Sequence, residues 1–134
     1  MSGKLPDYYF RVRENGALVF RVDTENRQRR IDMDQIAAVN IRNGEIKPQG
    51  DRVLSERDLD EIHTWMQERT ALLAERDIDD ILRAVDYLNL TSQWAQAKAT
   101  DEQLEAVTDD LLLAMHDLRS VLVRKKADRL MRDR

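Results

Sequence analysis

The side chains of this 134-residue chain that could carry acid–base chemistry near neutral pH are two histidines, His63 and His116. Asp60 and His63 stand three residues apart, a spacing that puts a carboxylate and an imidazole on one helix face, where a metal ion could take both. A carboxylate-bridged centre needs a second such pair and further inward acids, and the sequence offers neither. His116 has no acidic residue three or four positions away. Asp77, Asp79 and Asp80 open like a calcium loop, but Leu82 and Leu88 stand where that loop requires glycine and glutamate. These acids are read as charges favoured at a helix start. The four glycines do not form a phosphate-cradling loop. No catalytic residue, metal or cofactor is expected, and the chain is read as not an enzyme.

The arginines pose a different question. Arg11, Arg13 and Arg21, with Tyr9, are expected on the outer face of a first hairpin, and Arg27, Arg29 and Arg30 at the turn and strand that follow. A basic, aromatic sheet face can enter a DNA groove or stack RNA bases. Asp7, Asp23, Glu25, Asp32 and Asp34 are interleaved with these arginines, so the local excess of positive charge is small. A solvated, self-paired face is the simpler reading.

Composition narrows the field further. The chain lacks cysteine, which excludes disulfides, thiolate metal sites and thiol catalysis and suits a reducing compartment. The longest uncharged run, Tyr87 to Ala97, is 11 residues and partly polar, against about 20 apolar residues for a membrane helix. The opening MSGKLPDYY has no apolar signal segment. A cytoplasmic protein with no membrane partner is expected. The net charge of −4 is unevenly spread: residues 75–118 carry 3 basic and 11 acidic side chains, whereas residues 119–134 carry 7 basic and 2 acidic. An acidic middle disfavours general coating of nucleic acid, while the basic tail leaves local contact open.

The elements that must position these residues follow from periodicity. Side chains alternate from Tyr8 to Val22, the period of a half-buried strand. A three-residue loop, Glu14-Asn15-Gly16, with Gly16 in the left-handed conformation, would pair Phe10 with Phe20 and Val12 with Leu18 and sort apolar from charged faces. Arg29 to Met33 then reads as a third strand with Ile31 and Met33 inward, after a polar turn near Thr24 to Asn26. Asp34 to Ala38 is ambiguous between a helical turn and a strand. Asn43-Gly44 reads as a two-residue hairpin loop setting Ile41 opposite Ile46, and Pro48 and Gly50 close the sheet.

Beyond residue 54 the period becomes helical. Ser55 and Asp58 form a capping-box signal, and Leu59, Ile62, Trp65, Met66, Leu72 and Leu73 share one arc. Ile78, Ile81, Leu82, Val85 and Leu88 share another, rotated by well over a right angle, which predicts a break near Glu75 to Asp77 and a second helix with these residues as its core stripe. On that helix Tyr87, Leu90 and Trp94 fall together on nearly the opposite side. Thr100 and Gln103 resemble another capping box. The last helix carries Leu104, Val107, Leu111, Met115, Leu118 and Leu122 at alternating steps of three and four, a seam for another helix.

The fold expected is α+β in a single domain over 1–134: an antiparallel β-meander of about four or five strands within 1–54, then three helices within 55–134, the last two forming a long helical hairpin. The function expected is a small non-enzymatic protein acting through protein–protein contacts, as adaptor, regulator or assembly subunit. It is expected to form a homodimer or to dock another protein through Tyr87, Leu90 and Trp94, with the alternative that the helix bends at Asn89–Ser92 and folds these three onto the sheet. The first alternative function is a nucleic-acid-binding module using the arginine face and the basic tail. The second is an enzyme with an unrecognised carboxylate site.

Overall fold

A computed structural model describes residues 5–23 and 30–133. The chain is α+β, with four strands followed by two helices among the described residues: β1 (Tyr8–Arg13), β2 (Gly16–Asp23), β3 (Asp32–Asn40), β4 (Ile46–Pro48), α1 (Glu56–Ala97) and α2 (Asp101–Arg132). The strands form one antiparallel meander in the order β1-β2-β3-β4. The described chain divides into two compact units, Met1–Asp79 and Asp80–Arg134, and α1 contributes residues to both.

The first hairpin departs from the expected register. Arg13 pairs with Gly16 across a two-residue loop, so Phe10 lies opposite Val19 and Val12 opposite Ala17. Because side chains alternate, this one-residue slip turns over the whole of β2. Ala17 and Val19 join the buried core, Arg21 comes to the side of Tyr8 and Phe10, and Leu18, Phe20 and Val22 occupy the other face. Gly16 does not have positive φ, which among the described glycines belongs to Gly44 and Gly50. A Cβ on Gly16 would instead lie 1.8 Å from the Val39 carbonyl oxygen. The glycine is required by the close approach of β3.

The third strand runs through the stretch that was ambiguous. Ile31 precedes β3 and Met33 lies near its start, both exposed, while Ile36, Ala37 and Val39 are buried. Val19 pairs with Ala37 but Phe20 pairs with Gln35, so Ile36 is the extra residue of a bulge. The expected turn at Thr24 to Asn26 lies outside the described residues.

The second hairpin also differs. Val39 pairs with Ile46 around a loop of Ile41–Gly44, in place of the expected Ile41–Ile46 pair. The cause is Asn40, whose side-chain oxygen accepts from Arg42 N–H at 2.8 Å and Asn43 N–H at 3.3 Å, a local alternative to the ladder. Ile41 N–H then donates to Asn15 O at 2.8 Å and ties the two loops together.

One face of the sheet packs on the first turns of α1. Ala17, Val19, Ile36, Ala37, Val39 and Ile62 form the buried cluster, with Phe10, Leu54, Trp65 and Met66 against it. Phe10 stacks on Trp65 with ring centroids 4.7 Å apart.

The expected break near Glu75 is absent, and α1 is one helix of 42 residues. Residues 56–97 contain no glycine or proline, so nothing in the chain interrupts the hydrogen-bond ladder. The change of apolar face is a change of side, made without a change of helix. The second helix predicted here is therefore the continuation of α1, and Asp77, Asp79 and Asp80 are interior to it, with Asp80 ion-paired to Arg83. The capping box of Thr100 and Gln103 opens α2 as expected.

Candidate interaction site

The arginines do not converge. Strand alternation puts Arg11 and Arg13 on one face of the sheet and Arg21 on the other. Arg11 lies over the Phe20 ring at 4.6 Å, and Arg13 lines a small hollow with Arg42 and Arg69. Arg30 pairs with Asp32 at 3.5 Å. Arg27 and Arg29 lie outside the described residues.

Arg21 belongs to a clamp that the sequence reading missed. Asp58, 1% exposed, is the third helical residue of α1. Its Oδ1 accepts from the Tyr8 hydroxyl at 2.5 Å and from Arg21 Nε at 3.2 Å, and its Oδ2 accepts from Arg21 Nη2 and from Ser55 N–H at 2.9 Å. Asp58 N–H donates in return to Ser55 Oγ at 3.0 Å, completing the capping box. The Arg21 guanidinium, helped by Tyr8 and Ser55, holds the Asp58 carboxyl far below its usual range against the opposing effect of burial. Burial and the neighbouring carboxylate push the Tyr8 hydroxyl up. Arg57, ion-paired to Asp7 at 2.6 Å, lies beside the same shallow cleft. A carboxylate held ionised with four donors on its two oxygens is a poor proton acceptor. Its work is to pin the start of α1 to β1 and β2.

His63 and His116 are both exposed on helices. Among the described residues no group of three or more His, Cys, Asp or Glu could hold a metal ion. No described helix is long and apolar enough to cross a membrane.

The unit Asp80–Arg134 has a different surface. Tyr87 is 71% and Leu90 61% exposed, and Trp94 is half-buried. These three, with Leu88 and Thr91, line an open hollow of about 630 Å³ whose far wall is Val107 and Leu111 of α2. The helix is not interrupted at Asn89–Ser92: Thr91 and Ser92 hydroxyls donate to the carbonyls of Tyr87 and Leu88, four residues back, and α1 continues to Ala97. On α2 only Leu104, Val107 and Leu111 of the expected seam are half-buried, and none of its described residues is fully buried. Met115, Leu118 and Leu122 are exposed. Ile78, Ile81, Leu82 and Val85, expected as a core stripe, are exposed too, Ile81 by 62%. Two helices side by side can cover only one narrow stripe of each other, so an α-hairpin carrying this many apolar side chains leaves most of them in water.

Helical spacing foretells the grouping of Tyr87, Leu90 and Trp94, but no local signal foretells the exposure of the Ile78–Val85 row. No family model matches the chain, and neither a curated protein nor a solved structure matches it.

Proposed function

We propose that this is a non-enzymatic protein that works by protein–protein contact, as an adaptor, regulator or assembly subunit, and that its helical unit self-associates. The observation that carries this reading is the density of exposed apolar side chains over α2 and the second half of α1. Exposed apolar surface of this extent, anchored by a tyrosine and a tryptophan, is the kind that marks an interface. Burying a Leu, Ile or Val side chain fully is worth about 1.5–3 kcal/mol. Roughly half of that remains to be gained at each of Ile81, Val85, Leu90, Leu118 and Leu122, or about 5 kcal/mol per subunit before association costs. The nucleic-acid reading draws less support, since Arg21 and Arg30 are ion-paired and Arg11 lies over Phe20.

Sedimentation equilibrium tests the proposal. A dimer is expected with a dissociation constant of about 1–10 micromolar, which corresponds to roughly −7 to −8 kcal/mol. Trp94→Ala is expected to weaken it about tenfold or more, the loss typical of an aromatic anchor. A monomer at about 100 micromolar would overturn the proposal, since that sets the association weaker than about −5.5 kcal/mol.

A further inference from the structure

The two helices of the unit Asp80–Arg134 each carry an uncharged row, and both rows lie to the same side of the hairpin. On α1 the row is Ile81, Val85, Leu88, Ser92 and Ala95, and on α2 it is Leu104, Thr108, Leu111, Met115, Leu118 and Leu122. Both step by four and three, the spacing of core positions in packed helices. A hollow of about 220 Å³ identifies the shared side, with Ser92 and Ala95 lining it from α1 and Thr108, Leu111 and Met115 from α2. Tyr87 and Leu90 line the hollow on the other side, and Trp94 lines both.

The cover that these rows give each other is confined to the neighbourhood of the turn, where Ala95, Leu104 and Leu111 are half-buried. Away from the turn exposure rises along α1 from 41% at Leu88 to 62% at Ile81, and along α2 from 52% at Met115 to 59% at Leu122. Rows turned to one side of a helix pair are the arrangement of a bundle of four, in which each helix faces a common axis between two neighbours.

The charges beside the α2 row specify what covers it. Asp101, Glu105, Leu112, Arg119 and Lys126 lie along one line about 70° from the row, on the side of Thr108 and Met115. All five are exposed. Two acids precede the leucine and two bases follow it. The helix dipole favours acids at the start of α2, but its influence fades within the first and last turns, and Arg119 lies in the middle of the helix. No ion pair among the described residues involves α2.

We infer that this side of the hairpin is covered by the same side of a second copy, its turn at the opposite end, so that four helices share one apolar core. This rests on the reading that the helical unit self-associates, and it adds the face, the direction and the register. Ile81, Val85, Leu118 and Leu122, which carry that reading, all enter the core. With α1 beside the second α1 and α2 beside the second α2, every neighbouring pair is antiparallel. The α2 row is symmetric about residue 113, and centring the two-fold axis there sets Leu104 against Leu122, Thr108 against Leu118 and Leu111 against Met115. Val85 and Leu88 stand about as far before the turn as Leu111 and Met115 stand after it, and the same axis sets these two against each other. Along the rim Leu112 meets its own copy, Glu105 lies beside Arg119 and Asp101 beside Lys126. Rim charges of this kind set the direction of helix pairing. With both turns at one end, adjacent α2 helices would set acid on acid and base on base.

The chain lacks cysteine, so single cysteines report the contact directly. Leu112→Cys is expected to form a disulfide dimer with itself on mild oxidation. Asp101→Cys would stand about 36 Å from its own copy along the bundle, beyond the reach of a disulfide, and is expected to cross-link only when mixed with Lys126→Cys. Self-cross-linking of Asp101→Cys with no mixed product would put both turns at one end and overturn the inference. In a second measurement, by sedimentation, Glu105→Arg and Arg119→Glu are each expected to weaken self-association about tenfold, as reversed interfacial charges do, and their mixture to restore it. No loss in the single variants, or a loss that mixing does not restore, with helicity unchanged by circular dichroism, would also overturn the inference. A dimer with no cross-link in any arm removes this face and leaves the self-association reading standing. A monomer removes both.

Discussion

Replacing Asp58 by alanine is expected to cost about 2–4 kcal/mol of folding stability, a figure that can be built from the clamp. The buried carboxylate takes the Tyr8 hydroxyl at 2.5 Å, Ser55 N–H at 2.9 Å and two donors of Arg21. A hydrogen bond to a charged group is worth about 1.5–3 kcal/mol. For Tyr8 the lower end applies, because the cleft is open and water can return to the hydroxyl. The Ser55 bond is one arm of the capping box, worth about 1 kcal/mol. Arg21 is 46% exposed, so its share is screened to about 1 kcal/mol or less. The sum of about 3.5 kcal/mol is reduced by solvent rescue and by relaxation of Arg21 into water. Arg21→Gln should cost less, about 1 kcal/mol, because it removes only the screened part.

The assay is urea denaturation followed by far-ultraviolet circular dichroism, repeated from neutral to acid pH. The Asp58 carboxyl titrates below its unfolded value of about 3.9, so the native state releases this proton more readily than the unfolded state. Its contribution is therefore fully present above that value and is lost as pH falls through the lower, native one. The natural chain should lose stability on acidification below about pH 4, and Asp58→Asn should lack that increment. A change of less than about 0.5 kcal/mol in Asp58→Ala, the range of an ordinary surface substitution, would refute the reasoning, as would equal acid sensitivity in both proteins.

Gly16, at the start of β2, and Gly44, in the second hairpin loop, give a contrast. Gly16→Ala should destabilise by about 2–3 kcal/mol, because its Cβ meets the Val39 carbonyl at 1.8 Å, whereas Gly44→Ala, at φ 74° with nothing within 4 Å, should cost about 1 kcal/mol from backbone strain alone. Equal costs by denaturant titration would contradict the register. The isoleucines of α1 give another. Ile62→Ala, from a fully buried site, should cost about 2–5 kcal/mol of stability, while Ile81→Ala, 62% exposed, should change monomer stability by less than about 0.5 kcal/mol and show its effect in self-association. Dilution below the dissociation constant separates the two effects.

The features legible from the chain alone are those decided within a few residues. Ser55 with Asp58 and Thr100 with Gln103 are capping boxes because their groups reach each other across one turn. The order of strands before helices, and the grouping of Tyr87, Leu90 and Trp94, follow from periods of two and 3.6. The lack of glycine and proline in residues 56–97 also stated that α1 could run unbroken, although its shifting apolar face suggested otherwise.

The parity of β2 was not decided locally. Ala17, Leu18, Val19, Phe20 and Val22 are apolar on both faces, so alternation permits either register and only Arg21 distinguishes them. The choice is made by residues far away in sequence: the Val39 carbonyl, which admits only a glycine at 16, and Asp58, which gives Arg21 a partner on the helix side. The same holds for α1 beyond Asp77. Its apolar row reads as core by composition, yet burial depends on whether another element reaches it, and among the described residues Ile78, Ile81, Leu82 and Val85 stay exposed. Local sequence chose the elements and their ends, because capping and periodicity act over one turn. Register and exposure belonged to the tertiary structure, because they depend on which distant surface arrives.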